Sequence, residues 1–277
     1  MPLSYEVFIT PPLAFATKAP PPPDGAQSEW NPLSTTLISG ERDAVLVDPP
    51  FTIKETEAVA QWFAGKNKRL THIFVTHGHG DHWFGAASLL KRFGGVVVAS
   101  AGTIKEMEKS RVVKDAYWGA IFPGHIPADI AIEPLAAESF ALEGETLAIV
   151  EAGHTDTDAS TFLHVPSLDL LVAGDVVYDG PHQMLAEGAG DGLEQWLKAV
   201  DIAESYKPKL IVAGHKVAGH DDDAARILGE TRAYLQTAVA LRSSAADPAA
   251  WYKAMREKFP QRTNPHVAWF GALALYK

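Results

Sequence analysis

Six consecutive residues, His77-Gly78-His79-Gly80-Asp81-His82, put three imidazoles and a carboxylate into one short loop directly after the strand-like run His72-Ile73-Phe74-Val75-Thr76. Imidazole nitrogens and carboxylate oxygens are the donors that zinc and similar divalent ions accept, and interleaved glycines let a loop turn several side chains toward one point. Further donors recur downstream in one kind of place. Apolar runs at 148–153, 170–174 and 210–214 each end in Gly and are followed by His154, Asp175 and His215. A short apolar run bounded by Gly reads as a buried strand, so each donor sits where a strand leaves a sheet, the rim on which layered α/β folds build their sites. The chemistry such a set could do is activation of water by bound metal.

Composition narrows the options. With no cysteine among 277 residues, disulfides, thiolate catalysis and thiolate ligation are excluded, so a metal would be held by nitrogen and oxygen. A formal charge of −10 argues against nucleic acid as the main partner, because phosphate backbones are gripped by clustered Lys and Arg. Hydrophobic content of 47% with 21% charged residues is that of a globular chain, and no apolar stretch approaches the roughly 20 residues of a membrane helix. The start MPLSYEVFITPPLAF has neither a basic opening nor a compact apolar core, which makes a cytoplasmic location the expectation.

The length is read as one domain, 1–277, with loop insertions near 11–32 and 101–135. Residues 3–10 read as an edge strand. The run Pro20-Pro21-Pro22-Pro23-Asp24-Gly25 then breaks regular structure, either as a passive surface connection or as a lid over the site. Strands are expected at 34–39 and 44–48, then a helix opened by the capping pair Thr52 and Glu55. Trp83 to Phe93 reads as a helix stopped by Gly94-Gly95, and 96–98 as a strand. The segment 101–135, with Tyr117, Trp118, Phe122 and His125, packs over the metal loop or faces substrate. Strands at 140–151, 160–165, 168–173 and 209–213 fill the second half, with a helix opened by Asp191 and Glu194 and a long helix from Asp223. The apolar tail 267–275 covers either the core or a partner subunit, which leaves a homo-oligomer open.

With these motifs in place, the chain resembles the metallo-β-lactamase superfamily, whose signature is HxHxDH followed by a distant His, an Asp and a final His; the resemblance covers about residues 34–220 and matches all seven positions. It implies a four-layer αββα sandwich. It also implies a first metal on His77, His79 and His154, a second on Asp81, His82 and His215, and Asp175 bridging the two. Two divalent ions so placed, Zn2+ by default with iron, manganese or cobalt able to fill the same ligands, hold a bridging hydroxide at neutral pH. A bridging Asp at 175 resembles lactonases and glyoxalase II-like thioesterases more than antibiotic-degrading enzymes. The function implied is hydrolysis of a carbonyl bond in a small molecule, a lactone or ester, with β-lactam or thioester cleavage as the alternative. From another class come iron-dependent persulfide dioxygenation and metal binding without turnover.

Three catalytic candidates accompany the metal set. Asp81 is expected to pass a proton to the leaving group. Tyr178, three residues after Asp175, is placed like the tyrosine of the lactonase branch and could stabilise an oxyanion if its phenol points to the metals. His182, in Gly180-Pro181-His182-Gln183, could donate a proton at the same rim. Asp48, ending a Leu-Val-Asp-Pro run, matches a position that orients the metal loop. One departure concerns the middle His, which is followed here by Thr155-Asp156-Thr157-Asp158 and not by Thr-x-Gly. An extra acid near the mouth favours a substrate that is neutral or weakly charged at its reacting end.

Overall fold

Alternation along the strands sets the layers of the protein, described over residues 2–277 by a computed structural model. The first sheet runs β1 (Ser4–Ile9), β2 (Ser34–Ser39), β3 (Asp43–Val47), β4 (Arg69–Phe74), β5 (Val96–Ala99) and β6 (Leu135–Ala136), in that spatial order. Its first three strands are antiparallel and the rest parallel. The second comprises β7 (Ser139–Leu142), β8 (Glu145–Gly153), β9 (Ser160–Val165), β10 (Leu170–Val172) and β11 (Leu210–Val212) in the order β11-β10-β9-β8-β7.

Val45, Val47 and Phe74 point from the first sheet into a core they share with Leu147, Leu163, Leu170, Val172 and Val212 of the second. The intervening side chains Ala44, Leu46 and Ile73 point the other way, onto Val59 and Phe63 of α1 (Ile53–Ala64) and Leu89 of α2 (Ala86–Phe93). In the second sheet Phe162, Leu171 and Ile211 face outward. They meet Trp196 and Val200 of α4 (Gly192–Ser205) and Ile227 and Leu235 of α5 (Ala224–Ser244), while α3 (Ala101–Val112) lies beside the metal loop. Period-2 strands buried on both faces therefore give the expected αββα sandwich. Each fully buried Val, Leu or Phe contributes about 1.5–3 kcal/mol to holding it.

Local chemistry explains most boundaries. Thr52 caps α1 by accepting from Glu55 N at 3.2 Å, and its hydroxyl donates to Glu55 Oε2 at 2.6 Å. Asp223 caps α5 by accepting from Arg226 N at 2.7 Å. Asp191 does not behave as expected: it precedes α4 but makes no side-chain capping bond, and Glu194 instead meets Arg242 at 2.6 Å. The expected strand 140–151 is two strands, because Glu143 and Gly144 both take positive φ (49° and 90°) and turn the chain into a β7–β8 hairpin. In that turn the Glu143 carboxylate accepts backbone N–H groups of Arg42, Asp43 and Glu41, which lower its pKa to about 2 and tie the hairpin to the β2–β3 turn.

The helix read from Trp83 to Phe93 starts at Ala86, after a tight turn at Gly80–His82. The apolar tail forms α7 (Pro265–Leu275), after α6 (Pro248–Lys258); Ala268, Trp269 and Ala272 join the helix-side core of the second sheet, so the tail covers its own chain. Among the described residues no helix is long and apolar enough to cross a membrane.

Candidate metal centre

The ligand loop leaves β4 through Val75 and Thr76, and a carboxylate at the end of the neighbouring strand fixes its course. Asp48 accepts from Thr76 N at 2.9 Å and from Thr76 Oγ1 at 2.7 Å, and its Oδ2 lies 3.1 Å from His82 Nδ1. Thr76 Oγ1 is also 3.0 Å from His77 Nδ1. With their Nδ1 atoms thus engaged, His77 and His82 aim Nε2 inward. Gly78 is required by close approach: a Cβ there would lie 2.3 Å from Glu106 Cβ of α3.

Besides Asp48 with His77 and His82, two groups of donors result. In one, Asp156 Oδ2 lies 2.9 Å from His79 Nδ1 and 3.7 Å from His77 Nε2. In the other, Asp81 Oδ2 lies 3.9 Å from His82 Nε2 and 3.6 Å from His215 Nε2. Asp175 adjoins the second group, with Oδ1 3.4 Å from His82 Nε2 and Oδ2 3.2 Å from His215 Nε2. The groups abut, since the His77 and His82 rings are 4.1 Å apart between centroids. Donors bound tetrahedrally at about 2.0–2.1 Å lie roughly 3.3 Å from one another, close to most of these separations.

The buried atoms His77 Nε2, His82 Nε2 and Asp175 Oδ1 have no hydrogen-bond partner among the described residues. An orphaned buried polar atom is costly, and three converging on one place fit a cation. The same place holds four buried carboxylates, Asp48, Asp81, Asp156 and Asp175. Burial lowers His77 well below the usual imidazole range. Burial also opposes charge on His79, but Asp156 and Glu187 outweigh it and hold that ring well above the range. His82 is likewise raised to about 10, where Asp175, Asp81 and Asp48 overcome burial. Burial raises Asp175, whereas His77 and His79 hold Asp156 far below the usual carboxylate range against its own burial.

The structure therefore gathers His77, His79, Asp81, His82, Asp175 and His215, and leaves out His154. Its Nδ1 is 2.7 Å from Asp158 Oδ1 and its Nε2 3.2 Å from the Glu187 carbonyl, so both ring nitrogens are engaged outside the two groups. Neither Tyr178 nor His182, the other two catalytic candidates, lines the cavity. Tyr178 does point to the centre, but its hydroxyl donates to Asp175 Oδ2 and the residue is fully buried, which makes it a positioning group without a free phenol on the cavity wall. His182 is buried with Nδ1 against Tyr234 Oη at 2.9 Å, and it does not line the cavity.

Two contributors come from segments whose role the sequence left open. Trp30, in the short strand Glu29–Trp30, donates from Nε1 to Asp81 Oδ2 at 2.8 Å, and the Pro32 carbonyl accepts from His215 Nδ1 at 2.8 Å. A cavity of about 370 Å³ opens over the two groups. Trp30, Tyr117, Trp118 and Met184 form an apolar wall, and Glu106, Asp158 and Glu187 outnumber Lys109, which pairs with Glu106 at 2.8 Å, to give it a net acidic rim. Segments 11–32 and 101–135 thus both line the site. Asp156 was concealed two residues beyond the expected ligand, and no spacing signal marks Trp30.

Comparison with known proteins agrees with this fold. The profile of the Metallo-beta-lactamase superfamily matches residues 29–215. A hydroxyacylglutathione hydrolase of Citrobacter koseri is 30% identical over 164 residues, 59% of this chain and 54% of the relative, so the match spans about half the length of that protein. A UPF0173 metal-dependent hydrolase of Rhizobium etli is 35% identical over 26% of this chain and 30% of its own. Among solved structures, a metallo-beta-lactamase family protein from Thermus thermophilus is similar in fold with TM-score 0.64 at 18% identity, covering 97% of this chain and 91% of that one. A metallo-beta-lactamase from Pontibacter korlensis gives TM-score 0.56 at 20% identity, over 83% of this chain and 99% of that one. With the sandwich, the donor loop and the profile match in agreement, the chain belongs to the metallo-β-lactamase superfamily.

Proposed function

We propose that this protein is a dinuclear metal-dependent hydrolase that cleaves the carbonyl bond of an uncharged small molecule, a lactone or ester. The observation that carries this is the convergence of orphaned His77 Nε2, His82 Nε2 and Asp175 Oδ1 beside His79, Asp81 and His215, which with Asp175 line a cavity with an aromatic wall. His77, His79 and a third donor would hold one ion. Asp81, His82 and His215 would hold the other, with Asp175 between them. Two divalent cations would offset the four buried carboxylates; zinc is the default for such donors, and iron, manganese and cobalt suit them too. Bound divalent ions supply an acidified water and Lewis acidity toward a carbonyl oxygen.

The remaining work falls to side chains. Trp30, Trp118 and Met184 would seat the apolar part of the substrate and exclude bulk water. Tyr178 holds Asp175 in orientation through its donated hydrogen bond. As the water oxygen bonds to the carbonyl carbon and the acyl C–O bond breaks, Asp81 is placed to receive the water proton and return it to the leaving oxygen. Trp30 fixes the rotamer of that carboxylate.

The hydroxyacylglutathione hydrolase relative supports thioester cleavage as a second reading. The acidic rim of Glu106, Asp158 and Glu187 weighs against a net-anionic glutathione tail. This reading carries a small-molecule partner, no nucleic acid or membrane, and a cytoplasmic location. It is tested by proton release at constant pH from the zinc-loaded protein and its Asp175→Ala variant, across lactones, esters, thioesters, β-lactams and phosphodiesters. Fast turnover of lactones or esters that depends on Asp175 is expected. Preference for a glutathione thioester by a wide margin would overturn the substrate class, and silence on every carbonyl compound would overturn the hydrolase.

A further inference from the structure

We propose that the first ion of this centre is held by two histidines and a carboxylate, His77, His79 and Asp156, while His154 stands outside the coordination sphere as a tether. This rests on the metal-centre reading above and replaces the ligand that the sequence motif suggests.

The backbone accounts for the exchange. The β8–β9 ladder shifts register between Glu151 and Gly153, and Gly153 takes a φ of 91°. An irregularity of this kind re-aims the chain as it leaves the sheet. The half-buried His154 is left outside the donor groups, and residue 156 is carried in to be 2% exposed. Asp156 then meets what a ligating carboxylate requires. Its Oδ2 sits 2.9 Å from His79 Nδ1 and 3.7 Å from His77 Nε2, spanning the separation of about 3.3 Å that shared ligation sets. Its other oxygen accepts from Thr155 Oγ1 at 3.0 Å, and Thr155 Oγ1 lies 2.6 Å from Ser160 Oγ, so the carboxylate is oriented from behind.

His79 completes the picture. Its second nitrogen, Nε2, lies 3.3 Å from Glu187 Oε1, the kind of acceptor that a ligating imidazole needs for its remaining N–H. Glu187 also explains the position of His154, because its backbone carbonyl takes His154 Nε2 while Asp158 takes Nδ1. Gly192 gives the ring room, since a Cβ there would lie 2.9 Å from Nε2. His154 therefore joins the strand exit at 153–158 to the segment at 187–192 on the outer side of the cavity. Replacing a neutral imidazole by a carboxylate adds one negative charge to the first ion's sphere. It makes that sphere a two-histidine, one-carboxylate set, which favours iron(II) and manganese(II) relative to zinc more than three histidines do.

Cobalt(II) is the probe, followed by calorimetry and by visible absorption of the metal-free chain and three variants. The wild type is expected to bind two equivalents. Asp156→Asn should lose one of them or bind it about 10- to 100-fold more weakly. His154→Gln should keep both equivalents with an unchanged cobalt spectrum. Asp156→His should restore the second equivalent with a shifted spectrum, because nitrogen replaces oxygen. Loss of an equivalent in His154→Gln overturns the proposal, as does full retention in Asp156→Asn. If Asp156→Asn does not fold, Asp156→His and His154→Gln decide. Two tight equivalents without hydrolysis of any carbonyl substrate would sink the hydrolase and leave this ligand assignment standing; fewer than two in the wild type would sink both.

Discussion

Replacing Gly214 by alanine tests whether the backbone around the centre is as unyielding as its contacts imply. A Cβ at Gly214 would lie 2.3 Å from Asp175 Oδ1 and 2.9 Å from both His82 Cε1 and the Gly174 carbonyl carbon. Comfortable contact is about 3.5 Å, so the methyl overlaps the carboxylate by roughly 1 Å. The main chain cannot retreat without breaking two hydrogen bonds of 2.7 Å each, from Gly214 N to the Gly174 carbonyl and from Ser34 N to the Gly214 carbonyl. Asp175 must therefore move, by several times the roughly 0.2 Å that ligand distances tolerate.

The overpacking costs about 1–3 kcal/mol, which in a chain of this size lowers the melting temperature by about 2–5 °C. Displacement of the carboxylate should weaken metal binding at the second group by about 10- to 100-fold. Differential scanning calorimetry of the metal-free chain and zinc titration read the two effects separately. Gly229→Ala is the matched control: it sits on the exposed face of α5 with nothing within 4 Å of the new methyl, and should raise stability by about 0.5–1 kcal/mol. If Gly214→Ala melts and binds zinc as the wild type does, the clamped-backbone reasoning is wrong.

Three other expectations concern separate parts of the molecule. Trp30→Phe removes the donor to Asp81 and trims the ring that packs on Phe51, Trp118 and Phe122; loss of the donor should cost about 1.5–3 kcal/mol of transition-state binding, roughly 10- to 150-fold in kcat/KM on the carbonyl substrate, and a loss below about threefold refutes the positioning role. His182 is held neutral, its pKa lowered to about 3 mainly by burial and further by Arg262 and Arg256. Protons then bind the unfolded chain first as pH falls below about 6.5, so stability declines from about pH 6.5 toward about 3, at about 1.4 kcal/mol per unit. His182→Gln should flatten the decline in melting temperature between about pH 7 and about pH 5, and an unchanged slope counts against it. Thr52→Ala removes the cap of α1 and leaves buried Glu55 without the hydroxyl it accepts from, which should lower the urea midpoint by the equivalent of about 1 kcal/mol or more; an unmoved midpoint would show the cap to be idle.

What the sequence discloses about this protein is mostly what depends on near neighbours. The loop 77–82, the strand exits at Asp175 and His215 and the Thr52 cap all follow from residues within a few positions of one another, where spacing and turn chemistry act directly. The donor from the remaining strand exit, His154, lies outside both donor groups, beside a register shift and one positive φ at Gly153 that motif spacing cannot register. The Glu143-Gly144 turn was masked by the apolar residues on either side, which read as one strand. Trp30 could not be found because its partner Asp81 lies 51 positions away, and Tyr178 showed its place but not the bond that occupies its phenol.

The contact between His215 and the Pro32 carbonyl spans 183 positions of sequence. Such a contact closes only after both sheets have docked, since Pro32 leads into β2 of the first sheet and His215 follows β11 of the second, and the loop between them carries the full entropy of closure. The second donor group is therefore complete only in a nearly native chain. On a ribosome it cannot form until residue 215 has emerged, long after His77 to His82 are exposed. Ion capture would then follow folding, and a metal-starved cell would accumulate folded, empty protein that can be loaded later. The bound ion would in turn act as a ligand of the native state alone, adding about 2.7 kcal/mol when it is present at a hundred times its dissociation constant.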